Sequence, residues 1–183
     1  EKKGFSYLLE ACARLQRRGL ALECRIVGES GDQLAVLRAL HAELALGTTV
    51  QLLGPRAHDE LVPLYQQSDV FALPCQVLDD GDRDGIPNVL VEAMASGLAV
   101  VSTRISGIPE LVEHRNDGLL VEQKDVDALT AALAELIDDP GLRARLGGAA
   151  RVKVCACFDA KMTTASLKTL FESCLERQCE QPA

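Results

Sequence analysis

A short segment of this 183-residue chain combines residue types that suit the binding of a phosphorylated ligand. The segment 84–97 begins with Asp84 and Gly85, continues through Pro87, and carries Glu92 eight positions after Asp84. Gly85 permits a close approach of the backbone to a ligand, and Pro87 suits the first position of a helix, where a missing N–H costs nothing. The unpaired N–H groups at such a helix start attract phosphate. The segment therefore predicts a helix whose N-terminus faces an anionic ligand.

Glu92 is the sole ionisable residue of this predicted helix, whose other positions are nearly all apolar. The pattern predicts a helix that is buried all round. A buried carboxylate costs several kcal/mol unless it is hydrogen-bonded or paired, so Glu92 needs a partner. Ribose hydroxyls would serve, as would a backbone group or a buried base in a purely structural role. Asp84 precedes the helix and would lie at the mouth of the site, beside the reacting sugar of a phosphate-anchored ligand.

The elements that would position these residues follow from the spacing of apolar side chains. Helices are predicted where apolar residues recur every three or four positions, and strands where short apolar runs end at Gly or Pro. Predicted helices cover 5–18, 34–47, 59–67, 87–96, 109–113, 126–137, 140–154 and 159–178, and predicted strands cover 22–27, 50–53, 70–73, 99–103 and 119–121. Because strands alternate with helices, the chain is predicted to form one α/β domain with a doubly wound parallel sheet.

Ligands of open parallel sheets bind at the carboxyl ends of the strands, so the turns after the strands are candidate binding loops. Four such turns are rich in Gly, Pro and polar residues; they cover 28–32, 54–56, 79–88 and 105–109. Any one of them is explained as an ordinary turn, but several at one sheet edge favour a ligand site. Lys3 would stand at the same edge if a strand lies upstream of residue 1. A lone Lys near a terminus is more commonly just solvent-exposed.

The composition argues against several classes of protein. The formal net charge is −8, with 27 acidic against 19 basic residues, and only 3% of the residues are aromatic. A nucleic-acid-binding protein would need a basic face and, for single strands, aromatic stacking platforms. No apolar run approaches the ~20 residues that span a bilayer. The seven cysteines show no Cys-x-x-Cys spacing, which indicates free thiols in a reduced, intracellular protein.

Other chemistries fit the motifs less well. Asp80, Asp82 and Asp84 match the opening of an EF-hand calcium loop, but Val91 takes the place of its closing bidentate acid. The chain has no Gly-x-Gly-x-x-Gly and no Gly-Lys-Ser/Thr phosphate loop, which argues against nicotinamide dehydrogenases and nucleoside triphosphatases. Cys75 is interpreted as the edge of the core rather than as a nucleophile.

The same residues resemble those of a known family. Segments along nearly the whole chain look like the C-terminal, nucleotide-sugar-binding domain of the retaining group 1 (family 4) glycosyltransferases, which have the two-domain GT-B fold with Rossmann-like halves. The specific motif is an acid, seven residues and a Glu, and Asp84 and Glu92 occupy those places. Family members usually have Glu at the first place, so Asp84 is a departure. Supporting segments are 3–11, 25–28, 50–54 and 64–70.

The resemblance implies roles for individual residues. Glu92 would bind the donor ribose hydroxyls, Asp84 would lie near the donor sugar, and Lys3 would hold the donor diphosphate. Lys3 and Asp84 are thereby the candidate catalytic residues. The segment 54–56 would lie near the base. The residues implied to contact the donor are Gly28, Arg56, Gly85, Ile86, Pro87, Asn88, Val89 and Glu92.

The resemblance also implies a reaction and its partners. A sugar would pass from a nucleotide diphosphate sugar to an acceptor hydroxyl with retained configuration, without a metal or another cofactor. The chain would be the donor-binding part of a longer protein, lacking the first strand with its phosphate-binding Arg and the N-terminal acceptor domain, and would have little activity alone. The helix near 159–183 would pack on that domain. The 80–85 loop resembles that of bacterial enzymes of polysaccharide or glycolipid assembly, which work in the cytoplasm, commonly at the inner membrane face.

Two other functions are compatible with the same architecture. A nucleotide-sugar epimerase would form product without any acceptor. A non-catalytic regulatory module would bind no nucleotide sugar.

Overall fold

Strands and helices alternate along the chain, as the apolar spacing predicts. The computed structural model describes residues 1–28, 32–158 and 160–179. The strands are β1 (Cys24–Val27), β2 (Val50–Gly54), β3 (Val70–Leu73), β4 (Ala99–Thr103) and β5 (Leu119–Val121). The helices are α1 (Phe5–Arg17), α2 (Asp32–Glu43), α3 (His58–Gln66), α4 (Asn88–Ala95), α5 (Ile108–Leu111), α6 (Val126–Asp138), α7 (Pro140–Cys157) and α8 (Ala160–Cys179). Residues 29–31 of the predicted turn after β1 lie outside the described residues, as do 159 and 180–183 of the predicted C-terminal segment.

The strands form two parallel sheets rather than the single sheet predicted. β1 pairs with β2, and β4 lies between β3 and β5. In the doubly wound strand order 3-2-1-4-5-6, strand 1 lies between two strands on one side and three strands on the other. The sheet of β1 and β2 corresponds to the two strands, and the sheet of β3, β4 and β5 corresponds to the three. A strand between β1 and β3 stays a prediction.

Helices cover both faces of the strands, which confirms the predicted α/β fold class. On β4, Ala99 and Val101 belong to the core that includes residues of α1 and α6, whereas Val100 belongs to the core that includes residues of α4. All residues of β4 are buried. Alternate side chains of this strand therefore pack in opposite directions, as expected for a sheet that is covered on both faces.

Two glycines allow backbone segments to approach more closely than a side chain would permit. Gly4, at the N-cap of α1, has φ of 67°, and a Cβ atom there would lie 1.9 Å from the Pro74 carbonyl oxygen. A Cβ atom at Gly147 of α7 would lie 2.0 Å from the carbonyl oxygen of Gly97, in the turn after α4. The first contact sets the start of the chain against the end of β3. The second sets α7 against the end of α4.

Candidate functional site

The start of the chain meets the 84–97 segment at the carboxyl end of β3. The Lys3 Nζ atom lies 2.9 Å from Oδ2 of Asp84, and their side chains are 34% and 18% exposed. The backbone supports this pairing, because the Gln76 N–H donates to the Lys2 carbonyl oxygen at 2.9 Å. The two residues that were predicted to be catalytic are therefore in direct contact.

A buried thiol contacts the same carboxylate. The Cys75 side chain is fully buried, and its Sγ atom lies 3.9 Å from Oδ2 of Asp84. Burial is the largest effect on this thiol and raises the pKa of Cys75 to about 11; the Asp84 charge adds to the rise and the Lys3 charge opposes it. The thiol is protonated at neutral pH. This environment agrees with the interpretation of Cys75 as core edge rather than nucleophile.

α4 begins one residue later than predicted. Pro87 is its N-cap, with φ of −66° and ψ of 125°, and Asn88 is the first helical residue. The Leu90 and Val91 N–H groups donate to the Pro87 carbonyl oxygen, whereas those of Asn88 and Val89 have no partner among the described residues. Asn88 is exposed and Val89 is partly buried. The start of α4 therefore offers backbone donors at an accessible surface.

α4 is buried on one side rather than all round, so that prediction is wrong. Leu90, Ala93 and Met94 are buried, whereas Asn88 and Ala95 are exposed. Apolar composition alone does not decide which side of a helix is covered, because apolar side chains commonly remain exposed when no neighbouring element packs on them.

Glu92 is partly buried in α4 and has a protein partner. The O–H group of Tyr65, in α3, donates to Oε2 of Glu92 at 3.1 Å. Tyr65 is buried, and its ring packs edge-on against Phe71 with ring centroids 5.9 Å apart. Burial and the charge of Glu92 raise the pKa of the Tyr65 phenol above its ordinary value, so the phenol stays a donor. Sequence reasoning required a partner for this carboxylate but did not single out Tyr65.

A cavity of about 380 Å³ opens beside Lys3. Its lining includes Gly28 and Gly54, at the ends of β1 and β2, and Gln76 after β3. The Gly28 N–H donates to the Gly54 carbonyl oxygen at 3.3 Å. Lys3 and Gly28 therefore face the same space. Arg56 does not line this cavity; its exposed guanidinium donates to the carbonyl of the preceding residue.

Lysines hold the acidic loop that precedes α4. Asp82 pairs with Lys2 at 3.1 Å, and its N–H donates to Oδ1 of Asp80 at 2.9 Å. Asp84 is engaged by Lys3. Within the described ranges, no three His, Cys, Asp or Glu side chains are grouped as metal ligands would be. Asp82 and Asp84 are thus paired with lysines in this structure.

Comparison with known sequences connects this geometry with a family. The sequence model of the family described as glycosyl transferases group 1 matches residues 1–153. The chain is 38% identical over 172 residues to an amylovoran biosynthesis glycosyltransferase of Erwinia amylovora. It is 39% identical over 175 residues to a putative colanic acid biosynthesis glycosyltransferase of Salmonella typhimurium. Both matches cover 94% of this chain but only 42% and 43% of the relatives, so the chain spans less than half of their length.

Solved structures share the fold. Sucrose-phosphate synthase from Thermosynechococcus elongatus matches with a TM-score of 0.83 and 25% identity, over 96% of this chain and 43% of that protein. The Anabaena protein HepE in complex with UDP-glucose matches with a TM-score of 0.81 and 25% identity, over 94% of this chain and 46% of that protein. The C-terminal domain of a group 1 glycosyl transferase from Francisella tularensis gives a TM-score of 0.75 at 22% identity, over 87% of this chain and 81% of that domain. With its family match over residues 1–153, this chain belongs to the group 1 glycosyltransferases and has the fold of their C-terminal GT-B domain.

Proposed function

We propose that this chain is the donor-binding half of a retaining glycosyltransferase, which transfers a sugar from a nucleotide diphosphate sugar to an acceptor hydroxyl. The observation that carries the proposal is the contact of Lys3 with Asp84 at the edge of a cavity that Gly28 also lines. The Lys3 ammonium and the N-terminus of α4 are both suited to bind the negative charge of a diphosphate. The UDP-glucose bound by HepE supports a nucleotide sugar as the donor.

Each part of the site has a proposed role. Lys3 and the first N–H groups of α4 neutralise the charge that develops on the departing diphosphate, a preorganised role that requires no metal. Asp84 has one oxygen on Lys3 and offers the other to the donor sugar. Glu92 accepts hydrogen bonds from the ribose hydroxyls. Further donor contacts are proposed for Gly28, Arg56, Gly85, Ile86, Pro87, Asn88 and Val89.

The names of the relatives support a role in bacterial polysaccharide or glycolipid assembly. They include the amylovoran and colanic acid enzymes and a GDP-mannose-dependent phosphatidylinositol monomannoside mannosyltransferase of Mycobacterium tuberculosis, which is 35% identical over 156 residues, 85% of this chain and 40% of that protein. The proposed acceptor is a sugar or lipid-linked sugar, which the rest of the protein would bind in the cytoplasm or at the inner membrane face. None of the helices in the described ranges has the length and apolar character to cross a membrane.

α8 is the proposed contact to the acceptor-binding part. Leu167, Leu170 and Phe171 are each more than half exposed, and their spacing places them on one side of the helix. An apolar surface of this kind is typical of an interface. Because the acceptor would bind to that second part, the isolated chain is proposed to be a donor-binding module with little or no transferase activity of its own.

The proposal predicts saturable binding of one nucleoside diphosphate. Calorimetric titration of the full protein with UDP, GDP, ADP and their sugars is expected to select one base, with the same affinity with and without magnesium. Glu92→Gln should weaken binding by roughly tenfold, because a charged acceptor of the ribose hydroxyls is replaced by a neutral one. Glu43→Gln, an exposed change at the end of α2, is the matched control and should bind like the wild type.

Three outcomes would contradict the proposal in whole or in part. A folded protein that binds none of these ligands would be a regulatory module. A protein that interconverts nucleotide sugars without an acceptor would be an epimerase. An unchanged affinity of Glu92→Gln would give Glu92 a structural role only.

A further inference from the structure

We infer that Tyr65 is a positioning residue for the donor ribose, which it serves by orienting the carboxylate of Glu92. The inference rests on the proposed function, because it assigns a supporting residue to the same site. Tyr65 lies in the last turn of α3 and Glu92 in the middle of α4, so the hydrogen bond connects two helices.

The hydrogen bond uses only part of the acceptor capacity of Glu92. Tyr65 donates to Oε2 at 3.1 Å and is the sole hydrogen-bond donor to this carboxylate among residues 1–28, 32–158 and 160–179. A carboxylate has about four acceptor positions on its two oxygens. Oε1 is therefore available for donors from a ligand, while Oε2 is held. A vicinal diol such as ribose supplies two hydroxyl donors.

The packing around Tyr65 fixes the position of its hydroxyl group. The side chain is 9% exposed and belongs to the core that includes Leu73 and Leu90, and its ring packs against Phe71 at an interplanar angle of 60°. The ring therefore cannot follow a mobile carboxylate. Glu92 has three side-chain torsions, and the bond from Tyr65 restricts them before a ligand arrives.

A role in packing alone would not require the hydroxyl group. A phenylalanine would fill the same space and keep the contact with Phe71. Without the hydroxyl, however, the Glu92 side chain must be ordered when the donor binds. That cost is expected to weaken the affinity by about three- to tenfold.

Tyr65→Phe in the full protein tests the inference. The nucleoside diphosphate selected by titration should bind about three- to tenfold more weakly, with kcat at saturating donor nearly unchanged. The 2′,3′-dideoxy form of that diphosphate should bind to the variant as it binds to the wild type, because it has no ribose hydroxyl for Glu92 to accept. Thermal unfolding of the variant checks that the fold is intact.

Thr130→Val is the matched control, since it removes a buried hydroxyl that donates to the Val126 carbonyl within α6. Both diphosphates should bind to this control with wild-type affinity. An equal loss for the normal and dideoxy ligands in Tyr65→Phe would show a packing role, and no loss for either would show no role; both results overturn the inference. A wild-type protein that binds no diphosphate would overturn the proposed function and this inference together, which distinguishes that failure from a failure of Tyr65 alone.

Discussion

At the scale of residues, two neighbouring lysines pair with two acids of one loop. Lys3 contacts Asp84 at 2.9 Å, and Lys2 contacts Asp82 at 3.1 Å. The lysines are similarly exposed, but the acids are not: the Asp84 side chain is 18% exposed and that of Asp82 is 53% exposed. The inner pair lies against the buried Cys75, and the outer pair has the more exposed carboxylate. Because the two ion pairs carry the same charges, variants of Lys2 and Lys3 can be compared to test the effect of the different surroundings.

Lys3→Ala is expected to lower kcat of the full enzyme by roughly 100-fold, with a smaller effect on the donor KM. A cation that faces the departing diphosphate stabilises mainly the charge that develops in the transition state. Lys2→Ala removes an adjacent, exposed ion pair and should change kcat by less than about twofold. Steady-state kinetics with varied donor compares the two. Equal losses in both variants would indicate that the lysines only anchor the loop.

The acids of the proposed site and Lys3 stand out in the sequence, but their protein partners do not. Glu92 stands out as the single charge in an apolar helix, and Lys3 as a cation near the expected sheet edge. The hydrogen bond from Tyr65 joins residues 27 positions apart, and it depends on how α3 packs against α4. The available signal was a Tyr on the apolar side of a short helix, since a buried Tyr O–H needs a partner.

At the scale of elements, two consecutive glycines in α7 have opposite surroundings. A Cβ atom at Gly147 would collide with the backbone at Gly97, whereas a Cβ atom at Gly148 would meet nothing within 4 Å. Gly147 is buried and Gly148 is exposed. One glycine is thus required by the contact with the end of α4, and the other is not.

Gly147→Ala is expected to lower the free energy of unfolding by about 1–3 kcal/mol, because the added methyl group forces the two backbones apart. Gly148→Ala should raise it by about 0.5–1 kcal/mol, because Ala is favoured over Gly inside a helix. Urea unfolding of both variants measures the difference. If Gly147→Ala were as stable as Gly148→Ala, the contact would relax without cost.

The positions of the elements could be predicted from apolar spacing, whereas their neighbours could not. Spacing describes each element alone, and it located β3, β4 and β5 with the bounds that the structure gives. Whether β1 pairs with β3 depends on residues far apart in the chain, and the division into two sheets was not predicted. The exact start of a helix is harder to predict than its presence. At α4, the fixed φ of Pro87 suits both the N-cap that it occupies and the first helical position that was predicted.

At the scale of the whole molecule, one histidine links folding to pH. His114 Nδ1 accepts the N–H of Leu120 in β5 at 3.0 Å. Partial desolvation, followed by the charges of Arg104 and Arg115, lowers the pKa of His114 below its ordinary value of 6.5, while Glu135 opposes these effects. The neutral ring is the form that accepts this hydrogen bond. Protonation therefore removes a bond that holds the edge strand of the three-stranded sheet.

Because the pKa of His114 is lower in the folded state, the unfolded state binds the proton more readily. The stabilisation by His114 is expected to be complete above about pH 6.5 and to be lost as the pH falls through the folded-state pKa. His114→Asn keeps an acceptor but cannot titrate, so its free energy of unfolding should fall less between about pH 7.5 and pH 5. Urea unfolding at several pH values gives both slopes. Identical slopes would exclude a contribution from His114.

The contact between Gly147 and Gly97 also has a mechanical consequence. Two main chains that touch directly have no flexible side chain between them to absorb a displacement. α7 has 18 residues and is therefore roughly 27 Å long, and it touches the turn that ends α4. A tilt of this long helix would carry the shorter helix with it. Glu92 lies on that shorter helix, α4, so its carboxylate is expected to move together with α7.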